Sequence, residues 1–93
     1  MAILVTDNAE RARYEVSVDG APAGFAAYRL QGSTVVFTHT EVDNTHGGRG
    51  VGSELVGRAL DDVRERGLRV RPLCPFVRSY IGRHPAYREL VTD

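Results

Sequence analysis

Ninety-three residues, 42% hydrophobic and 26% charged, read as one domain over residues 1–93 with a modest core that needs no disulfide or metal staple. Twelve basic and twelve acidic side chains balance to zero formal charge, so neither nucleic acid nor an anionic membrane is held by charge alone. No run nears the roughly 20 apolar residues that span a bilayer, the N-terminus lacks a signal pattern, and the lone cysteine cannot form an internal disulfide; a reducing cytoplasm is the expected compartment.

Taken in chain order, Ile3 to Thr6 is a candidate edge strand. Arg11 to Val18 alternates, with Ala12, Tyr14, Val16 and Val18 on one side, which predicts a strand. Asp19-Gly20 is a hairpin signal. Phe25 to Leu30 follows as a strand, with Pro22 and Gly24 before it, and Gln31-Gly32-Ser33 turns the chain again. Thr34 to Val42, rich in β-branched residues, completes an antiparallel meander. Val51, Leu55, Val56, Ala59, Leu60 and Val63 recur at helical spacing, and Gly67 stands where a helix C-terminus wants glycine. Leu68 to Leu73 is a short strand. Pro75 suits a first helical position, Phe76 to Arg83 continues the helix and Pro85 ends it. Tyr87 to Val91 is a final turn or edge strand. The order predicts an α/β fold: a mixed sheet in which an antiparallel β-meander is followed by βαβα. The last strand should lie parallel to the one before the helix.

Four glycines crowd the stretch Gly47-Gly48-Arg49-Gly50-Val51-Gly52-Ser53 between a strand and a helix. Such a turn can cradle a phosphate, because its N–H groups are free and the helix dipole favours an anion. A connection that simply needs positive φ is the alternative. A P-loop is excluded, since all basic residues are arginine and the motif needs lysine. A dinucleotide fingerprint is excluded by the glycine spacing and by the lack of a second half. Cys74, between a strand and Pro75, is the expected N-cap of the second helix. The dipole there favours a thiolate, whereas Leu73 and Phe76 oppose it by desolvation. A small buried residue is the competing reading. His39, His46 and His84 show no metal-ligand spacing, so no metal is expected. A Cys74–His84 hydrolase would need more cleft than this length allows.

Gly50-Val51-Gly52 resembles the glycine end of the [Q/R]-x-x-G-x-[G/A] signature of the GNAT superfamily of N-acetyltransferases, although Gly47 stands where that signature has Gln or Arg. His39-Thr40-Glu41-Val42, Gly48-Arg49-Gly50, Pro72-Leu73-Cys74-Pro75-Phe76-Val77 and Arg83-His84-Pro85-Ala86-Tyr87 resemble, in order and spacing, the motifs of a minimal single-domain subgroup. The resemblance runs from about Arg11 to Val91. It implies acetyl-coenzyme A as co-substrate, with its pyrophosphate on the backbone of Gly47 to Ser53 and its pantetheine arm along Thr40, Glu41 and Val42. It also implies that Cys74 lies beside the coenzyme sulfur as suspected nucleophile, and that Tyr80 is the position to protonate the leaving thiolate. His39 and Glu41 share a strand face and are candidates to deprotonate an amine; solvated strand residues are the alternative. Larger members carry two helices between their first two strands, which Asp19-Gly20 leaves no room for. The acceptor, a small molecule or a protein, and the oligomeric state are written in no motif. The expected function is acetyl-coenzyme A-dependent N-acetyl transfer. The alternative is a non-catalytic acyl-coenzyme A-binding or interaction module.

Overall fold

The computed structural model describes residues 2–43 and 50–92. Strands β1 (Ile3–Asn8), β2 (Arg13–Val18), β3 (Ala21–Gln31) and β4 (Thr34–Val42) precede helix α1 (Val51–Glu65), strand β5 (Arg69–Pro72) and helix α2 (Pro75–Arg83). The sheet has five strands in the order β1-β2-β3-β4-β5. All neighbours are antiparallel except β4 and β5, which run parallel through the α1 crossover. The mixed sheet, the meander and the βαβα tail are therefore as the pattern predicts. The edge strand β1 is present too.

β1 runs on to Asn8 and β5 is shorter by one residue at each end, and three further boundaries differ for a local reason. Arg11 belongs to a 3-10 turn, Ala9–Arg11, rather than to β2. The Asn8 side chain accepts the Arg11 N–H at 3.2 Å, and Ala12 takes a left-handed conformation at φ 53°. β3 begins at Ala21, because a bulge at Val16/Ser17 lets Pro22 and Gly24 stay within the ladder. Gly24 is required there: a Cβ would stand 2.4 Å from the Glu41 carbonyl oxygen. Tyr87 lies in a 3-10 helix, Pro85–Leu90, and only Val91 bridges to Val70. The first connection within the sheet is thus the Ala9–Arg11 turn, not Asp19-Gly20, and it too holds no long helices.

The hairpin β2–β3 closes on Asp19 and Gly20, both at positive φ, as the right-handed strand twist prefers. Helix α1 buries the six predicted residues Val51, Leu55, Val56, Ala59, Leu60 and Val63. They pack on Tyr14, Val16, Val18, Ala26, Val35, Phe37 and Val70 of the sheet. The helix ends in a Schellman motif: Leu68 N–H donates to Val63 C=O at 3.1 Å and Gly67 N–H to Arg64 C=O at 3.0 Å. Gly67 supplies the left-handed φ of 70°. Val77, Tyr80 and Ile81 of α2 join the same core.

Polar groups tie the layers together. Tyr14 donates to Asp62 at 2.6 Å and Tyr28 to Asp7 at 2.6 Å. Arg66 bridges both carboxylates at 3.1 Å. Burial, and then the bond to a carboxylate, raises both tyrosine pKa values, that of Tyr28 to about 12. The other sheet face carries Thr6, Glu15, Phe25 and Glu41 as cross-strand neighbours. No described helix covers it.

Candidate active site

The site begins where β4 and β5 part. Their ladder runs from Thr34↔Arg69 to Phe37↔Pro72 and stops. The Phe37 carbonyl accepts both Leu73 N–H at 3.1 Å and Cys74 N–H at 3.0 Å, which turns the chain into α2. On the other side β4 bulges, because Phe37 faces Tyr28 and His39 faces Ala27. Thr38 is the extra residue, and its hydroxyl donates to the Ala27 carbonyl at 3.4 Å. Beyond the bulge, His39 to Val42 pair with β3 alone among the described residues. Their other edge offers N–H and C=O groups to an extended ligand, the geometry of strand addition.

Two helix N-termini flank this edge. α1 starts at Gly50, left-handed at φ 75°, which has no side chain of its own to cap the first turn. The N–H groups of Val51, Gly52 and Ser53 consequently have no partner within the helix. A Cβ on Gly50 would meet nothing within 4 Å. Glycine is needed there for the backbone, and the space beside it is open. Glu54 is held sideways by Arg58 at 2.7 Å. α2 starts at Cys74, the predicted N-cap, but the sulfur does not cap the helix. The buried thiol donates instead to Thr40 Oγ1 at 3.3 Å. The Phe76 ring reaches across to α1, where a Cβ on Gly52 would stand 2.6 Å from Cζ.

Thr40, Val42, Val51, Gly52 and Cys74 therefore gather around one edge. Glu41 points to the opposite sheet face, where its carboxylate meets His39 Nε2 at 2.9 Å with both side chains exposed. Tyr80 sits farther along α2. Its ring stacks on His84 at 4.0 Å, and its hydroxyl reaches the backbone of Gly57 on α1. Burial, with the nearby Asp61 and Glu54 charges, raises its pKa, so it keeps its proton. Gly47, Gly48 and Arg49 lie outside the described residues. Among the described residues, no three His, Cys, Asp or Glu side chains gather as metal ligands do, and no helix is long and apolar enough to cross a membrane.

The sequence reading missed the Thr38 bulge and the Phe76–Gly52 contact. The first has no signal in a run of β-branched residues. The second had one, since an exposed phenylalanine in a first helical turn needs an apolar surface to rest on.

Comparison with known proteins bears on the family and the fold. The sequence model described as GCN5-related N-acetyl-transferase matches residues 13–90. The fold is similar to the NMR solution structure of a GCN5-like protein from Staphylococcus aureus. That match has a TM-score of 0.73 at 19% identity and covers 96% of this chain and 87% of the other. No curated protein matches the sequence significantly.

Proposed function

Because the chain belongs to the family of GCN5-related N-acetyltransferases, we propose that it binds acetyl-coenzyme A along the unpaired edge of β4 and transfers the acetyl group to an amine. The observation that carries this is the parting of β4 and β5 at Phe37, with a helix N-terminus on each side. The first-turn amides of Val51, Gly52 and Ser53, which have no partner within the helix, suit the pyrophosphate, with the glycine-rich sequence Gly47-Gly48-Arg49-Gly50 before them as the rest of the cradle. Main-chain groups of Thr40, Glu41 and Val42 suit the amides of the pantetheine arm. An extended arm on that edge brings the thioester toward Thr40 and hence toward Cys74, whose sulfur is 3.3 Å from the Thr40 hydroxyl.

Cys74 is the nucleophile in this reading. Its thiol releases its proton to solvent and attacks the thioester carbonyl. A new carbon–sulfur bond forms as the carbonyl's bond to the coenzyme sulfur breaks, and coenzyme A leaves as a thiolate that needs a proton. Tyr80 keeps its proton well above neutral pH and is assigned as the donor. An amine then attacks the acetyl-Cys74 carbonyl, the bond to the Cys74 sulfur breaks, the proton the amine loses restores the thiol, and Tyr80 regains its proton from solvent. His39 and Glu41 face the opposite side of the sheet from Thr40 and Cys74 and take no part in this proton path.

The test uses the absence of lysine. With no lysine side chain to acetylate, intact-mass spectra after brief incubation with acetyl-coenzyme A should show one adduct. Hydroxylamine should remove it, because a thioester is labile where an amide is not. Cys74→Ala should lack the adduct and still bind coenzyme A. Undiminished transfer by Cys74→Ala would replace the covalent route by direct transfer. A second reading, a non-catalytic acyl-coenzyme A-binding module, draws on the short Ala9–Arg11 connection, which builds no wall for an acceptor. Coenzyme binding without thiol release in the presence of any amine would establish it.

A further inference from the structure

The open face of the sheet has a charge pattern that the coenzyme site does not use. Cross-strand pairing sets its rows. One row is Thr6, Glu15, Phe25 and Glu41; the next is Asn8, Arg13, Ala27 and His39. In these two rows charges are matched. Arg13 holds Glu15 at 2.7 Å and lies 4.5 Å from the centre of the Phe25 ring, and His39 meets Glu41. The following row is Arg29, Val36 and Arg71, and the last is Gln31, Thr34 and Arg69.

These two rows contain three arginines and no carboxylate. Arg29 and Arg71 make no ion pair with any described residue, and Arg69 spends its guanidinium on the Val91 carbonyl at 3.3 Å. Val36 is only 1% exposed yet lies outside the core cluster. Its cross-strand neighbours on this face are Arg29 and Arg71, so their aliphatic stems cover it while their charged heads reach solvent. In a chain of zero net charge this is a local positive field directly beside the His39 row.

We propose that this face docks an acidic peptide segment and delivers its amine to the edge of β4, so that the acceptor is a protein or peptide amine with carboxylates nearby in sequence. The inference rests on the acetyl-transfer reading above. Three observations carry it. Phe76 of α2 rests on Gly52 of α1 and Cys74 bonds Thr40, so both helices meet on one side of the β4 edge, while no described helix stands on the other. Successive residues on one face of a strand lie about 7 Å apart, so the Arg29–Arg71 row is one step from His39. An acidic residue within a few positions of the amine reaches it. The hollow of about 570 Å³ on this face lies at its Phe25–Glu41 end, beyond the His39 row from Arg29 and Arg71, so the arginine rows lie outside it and offer a surface for an extended chain rather than an enclosing pocket.

The experiment titrates the isotope-labelled protein, loaded with coenzyme A, with three ligands at equal concentration. They are a short peptide with a free N-terminus followed by aspartates and glutamates, its lysine- and arginine-rich counterpart, and free glutamate. Only the acidic peptide should shift amide signals of β3, β4 and β5, and raised salt should weaken it. Arg29→Gln with Arg71→Gln should weaken that binding by about three- to tenfold, the effect of losing two exposed ion pairs. Coenzyme affinity, measured separately by thermal shift, should not change. Equal binding of the basic peptide, an unaffected double variant, or equal shifts from free glutamate would each overturn the proposal. Failure of coenzyme binding in the wild type would instead strike the acetyl-transfer reading.

Discussion

At the scale of single residues, Gly50 and Gly52 look alike in sequence and are needed for different reasons. Gly50 needs its left-handed backbone, and a Cβ there would enter open space. Gly52 has a helical backbone, and its missing Cβ is what lets the Phe76 ring lie on α1. Gly52→Ala should therefore displace Phe76 and cost about 1 kcal/mol of stability, an overpacking cost. In a Phe76→Ala background the same substitution should be nearly neutral, because the obstacle is gone. Urea denaturation of the four proteins in that cycle checks this. Additive losses would mean that Gly52 matters for its backbone alone. Cys74 shows the same division. Its N-cap position is legible from Pro75, whereas its bond to Thr40 joins a helix start to a strand 34 residues away.

At the scale of elements, the strongest feature is the end of α1. Its C-terminal hydrogen bonds depend on Gly67 at φ 70°, and a Cβ there would meet nothing within 4 Å. Gly67→Ala thus isolates backbone strain from packing. It should lower stability by about 1 kcal/mol, the cost of a left-handed L-residue, and Gly67→Asn should lower it less. Equal urea midpoints for wild type and Gly67→Ala would show that the helix ends without needing the motif. α1 and the strands were legible because burial repeats with the element's own period: the six apolar positions named from spacing are all buried. The limits of β2 and β3 were not, because a capping Asn8 and a bulge at Val16/Ser17 obey no period.

At the scale of the whole molecule, all four tyrosines have raised pKa values. Burial is the first cause in each, and Tyr14, Tyr28 and Tyr87 also donate to aspartates. The sign of the linkage follows. An unfolded tyrosine releases its proton near pH 10, while folded Tyr28 and Tyr87 hold theirs to about 12. The folded state then binds more protons, so the stabilisation is complete below about pH 10 and is lost as pH rises toward 12. Tyrosine absorbance should stay flat to about pH 10 and then rise together with loss of circular dichroism. Tyr28→Phe should make stability fall less steeply in that window. A tyrosine titrating near pH 10 in an intact fold for each of the four side chains would contradict this.

The sequence alone determined the order of elements, the buried face of α1, the parallel closing strand and the position of Cys74 at a helix start. Each of these depends on residues close together in the chain, where helical or strand periodicity and the chemistry of proline and glycine act locally. Only the tertiary structure decided that β4 bulges at Thr38 and parts from β5, that Phe76 rests on Gly52, that the Tyr80 hydroxyl packs against Gly57, and that Arg29 and Arg71 share a row. These depend on register between strands. A one-residue slip moves every side chain to the other face, and nothing local to Arg29 or Arg71 records that Val36 lies between them.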